Sequence, residues 1–278
     1  MLRLTTLSAL YLGLVITARA QITSSFTIID YWVERLLTDP AAIHQSIIPS
    51  GGELHGYQLS PSDSLKLSKS RIIIGLNPQS EPWLNDWIKA NNRSSSVIWI
   101  NEKFSQVSHP WMSPSATKAM VKTLHEGLMT HKLSSETNLN QLLTEIDNVD
   151  VTVTKLFSTI PQNRRIIITQ HPSLSAFAEA FNLEVAGSIV ECPDAESADP
   201  SAQNYSQLLK LIKTKNIRVI ICDAGQNNRA AQQLAKDAKI APPLPISIEY
   251  LEKVGTPGDT WPSMMIINAS KISEALKK

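Results

Sequence analysis

Three of the six histidines stand in loops that follow β-branched runs. His55 lies within Pro49-Ser50-Gly51-Gly52-Glu53-Leu54-His55-Gly56-Tyr57, and His109 within Ser108-His109-Pro110-Trp111. His171 directly follows Arg165-Ile166-Ile167-Ile168-Thr169-Gln170. Neutral imidazole ligates Zn, Cu, Fe and Ni, so three of these groups converging from separate loops would make a transition-metal site. The first two are 54 residues apart and the last two 62, too far for a local motif. A lone loop histidine is ordinarily a surface residue or a capping partner; the shared position after strands is what marks these three. His44, His125 and His131 fall before a strand or at a helix's far end and read as solvated.

Carboxylates at strand ends are the next candidates. Asp223 closes Arg218-Val219-Ile220-Ile221-Cys222-Asp223, and Glu249 closes Leu244-Pro245-Ile246-Ser247-Ile248-Glu249. The ordinary role of such an acid is helix capping or a salt bridge; either could instead complete a histidine-rich metal set. Cys192 and Cys222 also end strands, and in an exported protein they could pair if those strands were adjacent. Other chemistries are not signalled. The chain has no G-x-x-x-x-G-K-[ST], no G-x-G-x-x-G, no H-E-x-x-H and no G-x-S-x-G.

The elements that must position these groups alternate between short β-branched runs and helical patterns, the signature of parallel sheets covered by helices. Strands are predicted near 22–23, 46–49, 71–75 and 97–101, then near 165–170, 184–191, 218–223 and 244–249. Helices are predicted near 28–37, 61–67, 82–91 and 114–131, then near 174–181, 203–214, 228–239 and 261–277. Between these halves, Leu139, Leu142, Leu143, Ile146, Val149, Val153, Leu156, Phe157 and Ile160 recur at steps of three and four, a helical stripe. Ser134 or Ser135 can cap it, Pro161 stops it, and at 1.5 Å per residue the segment 134–160 is about 40 Å long. Two α/β lobes joined by one long rigid helix leave a cleft, and ligands of open α/β sheets bind beyond the carboxyl ends of the strands. His55 and His109 belong to the first lobe and His171 to the second, so a closed cleft would unite them.

Composition narrows the function. With 278 residues the chain is long enough to bury a core in each lobe. Twenty-six Lys+Arg against 25 Asp+Glu give a formal charge of +1 with no run of like charge, which excludes the long positive field of a nucleic-acid binder and a polybasic membrane patch. Residues 1–20 place Arg3 before an apolar run and end in Ala18-Arg19-Ala20, the layout of a secretory signal peptide cleaved after Ala20. The apolar run is shorter than the roughly 20 residues a membrane span needs. The expected organisation is therefore a signal peptide (1–20), a first lobe (21–133), a connecting helix (134–160) and a second lobe (161–278), working in a periplasm.

The mature chain resembles the metal-binding, zinc and manganese, family of ABC-transporter solute-binding proteins. Residues 49–63, from Pro49-Ser50-Gly51-Gly52 through His55 and Tyr57 to Pro61-Ser62-Asp63, resemble its first ligand loop, P-G-x-x-x-H-x-Y-x-x-x-P-S-D, with one inserted residue. Glu81-Pro82-Trp83-Leu84 resembles the following E-x-W-L, and His109-Pro110-Trp111-Met112-Ser113-Pro114 resembles H-x-W-L-D-P. Ile166 to His171, trailed by Phe177 to Leu183, resembles the third ligand segment, and Gly258-Asp259-Thr260-Trp261 resembles G-D-T-Y. Five such segments occur in the family's order.

The resemblance implies two Rossmann-like lobes with parallel sheets, a rigid connecting helix, and metal held in the interlobe cleft for an ABC membrane permease. It places ligands at His55, His109 and His171, with Glu249-Tyr250-Leu251 matching the acid of the fourth position and Asp223 the runner-up. Three imidazoles and a carboxylate suit four-coordinate Zn2+, with Mn2+, which prefers more oxygen ligands, second. A monomeric binding protein is implied, not an enzyme. Ser113 stands where the family has Asp, and Pro172 where Asp usually follows the histidine; changes around ligands can weaken a metal site roughly 10–100-fold. Two other readings compete: a three-His zinc hydrolase with Glu249 or Glu53 as base, and a two-lobe binder of a small non-metal solute.

Overall fold

The computed structural model describes residues 21–54, 56–101, 107–190 and 200–278. The expected signal peptide, His55 and Cys192 lie outside the described residues. The first half runs β1 (Gln21–Phe26), α1 (Thr27–Leu36), β2 (Ile43–Ile48), α2 (Pro61–Lys69), β3 (Ile72–Gly75), α3 (Pro82–Ala90), β4 (Val97–Trp99) and α4 (Pro114–Thr130). After α5 (Glu136–Ser158) come β5 (Ile166–Thr169), α6 (Ser175–Phe181), β6 (Glu184–Ser188), α7 (Ala202–Lys215), β7 (Ile220–Asp223), α8 (Arg229–Ala238), β8 (Leu244–Ile246) and α9 (Trp261–Lys277). The strands form two four-stranded sheets, ordered β2-β1-β3-β4 and β6-β5-β7-β8, with every pairing parallel. These are the two α/β lobes with parallel sheets.

Central strands covered on both faces should be continuously apolar, and they are: Ile72, Ile73 and Ile74 of β3 are each fully buried. In each sheet the strand order reverses beside the first strand, between β1 and β3 and between β5 and β7, which opens a crevice at the carboxyl ends there. His171 follows β5 and Asp223 ends β7, so this pair flanks the second crevice.

The connecting helix α5 spans 23 residues, about 35 Å. Ser135 caps it by accepting the Asn138 N–H at 3.2 Å, so the predicted stretch 134–160 loses its ends to caps. Leu139, Leu142, Ile146, Val149, Val153 and Phe157 form its buried stripe. That stripe packs against α1 and α4 of the first lobe and α6 and α9 of the second. One continuous apolar cluster therefore reaches from Ile73 through Ile146 to Ile221 and Met265, across both lobes. A separate cluster around Ile168, Leu208 and Leu234 covers the outer face of the second sheet.

Three sequence readings are corrected. Glu249 does not close a strand: β8 stops at Ile246, because the Asn268 side chain of α9 bonds the N–H and the carbonyl of Ser247 and replaces a neighbouring strand there. His125 is not solvated but 4% exposed, held by Ser134 at 2.8 Å and Glu136 at 3.2 Å where α4 turns into α5. His44 lies on β2 itself, its ring 3.1 Å from Asp30.

Candidate metal centre

His109 enters the cleft from a backbone of unusual shape. Its φ of 50° and ψ of 54° are left-handed, costly for a side chain with a Cβ and more so before a proline. The tight turn Pro110–Met112 holds it, with the Met112 N–H bonded to the His109 carbonyl at 3.0 Å. Trp111 anchors the turn across the lobes. Its Nε1–H donates to the Ile248 carbonyl at 2.7 Å, while its own carbonyl accepts from Trp261 Nε1 at 2.9 Å and from Thr117 at 3.1 Å. The sequence reading names Trp111 and Trp261 only as motif positions and gives neither a role; the tryptophan two residues after His109 was the available signal.

The His109 ring is fixed on one edge by Ser108 Oγ, 2.6 Å from Nδ1, which leaves Nε2 facing Glu249 Oε1 at 3.2 Å. This is the arrangement that sets which ring nitrogen points at a metal. The ring also packs edge-on against Trp111, centroids 5.1 Å apart, and lies 5.8 Å from the His171 ring.

Glu249 reaches the site from the loop after β8, and its second oxygen, Oε2, accepts the Leu54 backbone N–H at 3.2 Å. Leu54 precedes His55 in the expected first ligand loop, so that loop's backbone is joined to the second lobe. Ser50 donates to the Leu251 carbonyl and Thr27 accepts the Leu251 N–H at 2.9 Å, adding two links at the same seam. Downstream, Ser60 and Asp63 form a reciprocal capping box that starts α2, and Tyr57 donates to Asp63 at 2.9 Å. The Tyr57, Pro61 and Asp63 positions of the motif thus build the loop's exit.

His171 is 2% exposed, directly beyond β5, with its Nε2 3.0 Å from Asp223 Oδ2. The capping role expected of Asp223 falls elsewhere. α8 begins six residues on, at Arg229, whose N–H is accepted by the Asn227 side chain at 3.2 Å. Asp223 instead turns its carboxylate to the imidazole. Cys222, its neighbour on β7, points away as a buried thiol that accepts from Asn228 at 3.7 Å; burial raises its pKa.

One ligand atom each of His109, His171 and Glu249 lies within 4.8 Å of the others. All three side chains are almost fully buried, and they come from both lobes. Two imidazoles and a carboxylate so close in a dry setting match the nitrogen and oxygen donors of a divalent transition metal. Ser113 precedes α4, with its hydroxyl 3.0 Å from Ser115.

Comparison with known proteins bears on the same geometry. A family profile described as zinc-uptake complex component A, periplasmic, matches residues 22–275. The chain is 26% identical over 284 residues to the metal ABC transporter substrate-binding lipoprotein SsaB of Streptococcus sanguinis, covering 94% of this chain and 91% of that protein. The Mn-bound periplasmic metal binding protein from Candidatus Liberibacter asiaticus shares its fold with a TM-score of 0.81 at 16% identity, covering 93% of this chain and all of that one. The periplasmic zinc binding protein TroA from Treponema pallidum does so with a TM-score of 0.79, also at 16% identity, covering 93% and 99%. The chain therefore belongs to the family of zinc-uptake complex component A, the extracytoplasmic metal-binding proteins of ABC importers, which are substrate carriers and not enzymes.

Proposed function

We propose that this protein captures Zn2+ with His55, His109, His171 and Glu249 and hands it to an ABC membrane permease. The observation that carries the reading is the convergence of His109, His171 and Glu249 ligand atoms within 4.8 Å from three loops of two lobes. Family membership supports delivery to a permease. The loop that contains His55 is represented at the site by its neighbour Leu54. Glu249 Oε1 faces His109 while Oε2 accepts the Leu54 N–H, and imidazoles with one carboxylate suit four-coordinate Zn2+. Export through the segment 1–20, with cleavage after Ala20, would deliver the carrier to the periplasm as a monomer.

Mn2+ is the second reading, and Asp223 favours it. Its carboxylate beside His171 could add an oxygen donor, which suits a harder ion with a larger coordination number. The decisive experiment strips the mature protein of metal and titrates Zn2+ and Mn2+ by calorimetry, alone and in competition. One Zn2+ per chain, undisplaced by equimolar Mn2+, is the expected result. Tighter binding of Mn2+ would replace zinc with manganese in this reading, and no binding of either would remove it.

A further inference from the structure

The second lobe has a second concave feature at the end opposite the metal centre. His171 and Asp223 sit at the carboxyl ends of β5 and β7. At the amino ends, about 13 Å away for a four-residue strand, a bowl of about 690 Å³ is lined by Arg164, Lys215, Arg218, Lys277, Lys278 and Asn163, among others. Five cations thus share one concavity, in a chain whose 26 Lys+Arg are otherwise balanced by 25 Asp+Glu. Among the described ion pairs, only Lys215 of the five is matched with an acidic side chain, Glu184.

The two arginines are positioned rather than loose. Arg164 Nη2 donates to the Lys277 carbonyl at 3.0 Å and Arg218 Nη1 to a main-chain oxygen of Lys278 at 2.7 Å. These contacts tie both guanidiniums to the end of α9, whose main-chain oxygens are themselves negative and offset part of the cationic charge. Each uses one of the five N–H donors of a guanidinium, and the planar fork suits phosphate geometry. A single carboxylate would neutralise a small part of this charge, and a single phosphate would fill a small part of the volume.

We propose that this bowl binds an anion bearing several phosphoryl charges, either a free oligophosphate or the headgroups of an anionic phospholipid. The site is separate from the metal centre and independent of which ion that centre takes.

The test uses the metal-free protein, because tripolyphosphate would chelate Zn2+, at low ionic strength, since exposed charges are screened at high salt. One arm titrates inorganic tripolyphosphate by calorimetry. The other sediments the protein with vesicles of phosphatidylglycerol and phosphatidylcholine. Saturable binding in the first arm identifies a free oligophosphate, and binding to vesicles alone identifies a lipid headgroup. In either case Lys277→Gln/Lys278→Gln, which leaves the main-chain oxygens to the arginines, should weaken binding at least tenfold, and Arg218→Gln should do the same. Zn2+ titration of each variant verifies that the lobe is folded. No binding in either arm, or unchanged binding by variants that still take up Zn2+, would overturn the proposal.

Discussion

Glu249 accepts a hydrogen bond from the backbone N–H of Leu54 at 3.2 Å, across 195 residues of chain. The same carboxylate faces His109 through its other oxygen. One side chain of the second lobe therefore holds the backbone of the first ligand loop and contributes to the cluster of donors in the cleft. Its two oxygens divide these tasks, and that division allows them to be separated by substitution.

Glu249→Gln retains a carbonyl oxygen that can accept from Leu54 but removes the negative charge. A buried carboxylate that offsets a metal's charge is worth more than an exposed ion pair. Zn2+ affinity should fall at least about tenfold, roughly 1.4 kcal/mol, while the metal-free melting temperature changes little. Calorimetry and thermal melts on the same sample read both quantities.

Asp223→Asn should also weaken Zn2+ binding, by about tenfold. The carboxylate lies 3.0 Å from His171 Nε2 and caps no helix, so its charge acts on the cation and on the imidazole. Unchanged affinity with a lowered apo melting temperature would restore the capping role that the sequence suggests.

Metal capture should be proton-coupled. Imidazole must be neutral to ligate and has a reference pKa near 6.5, so protons compete increasingly as pH falls below that value. The Zn2+-dependent rise in melting temperature should shrink between about pH 7 and pH 5. An affinity flat over that range would count against histidine ligands.

The lobes should move little when metal binds. α5 has no internal Gly or Pro, its stripe is packed against helices of both lobes, and Trp111 is bonded into the second lobe. Scattering curves of stripped and loaded protein should nearly superimpose. Trp111→Phe keeps much of the packing but leaves the Ile248 carbonyl without its donor, so it should cost about 1–3 kcal/mol in denaturant melts.

Glu81 gives the fold a pH dependence of its own. Complete burial raises its carboxyl pKa from 4.5 to about 7, with the Ser25 hydroxyl and the Leu76 N–H, at 2.6 Å, pulling it back in part. A carboxyl whose pKa is higher folded than unfolded stabilises most below pH 4.5, and that contribution is lost as pH rises toward 7. Over that window the term is of order 3 kcal/mol. Glu81→Gln should remove this slope from the metal-free protein, as chemical denaturation at pH 5, 6, 7 and 8 would show.

Much of this architecture is legible in the chain because it rests on local periodicity. The β-branched runs around Ile72–Gly75 and Ile166–Thr169 and the three-four stripe of α5 are set by which faces must be buried. Strand ends then identified His109, His171, Asp223 and Glu249 as residues that a cleft could collect. What periodicity does not encode is the partner of a side chain in the other lobe. The sequence suggested a cap for Asp223, but only the docked chain turns it onto His171, because α8 starts too late to need it. The sequence extended β8 to Glu249, whereas Asn268 of α9 ends the strand by satisfying Ser247. Trp111, a motif position without a role, and the Leu54 amide gained theirs only when packing placed them against Ile248 and Glu249. Local pattern determined the elements and the donor types; long-range hydrogen bonding, with chain separations of 137 and 195 residues in those two contacts, decided how the donors meet.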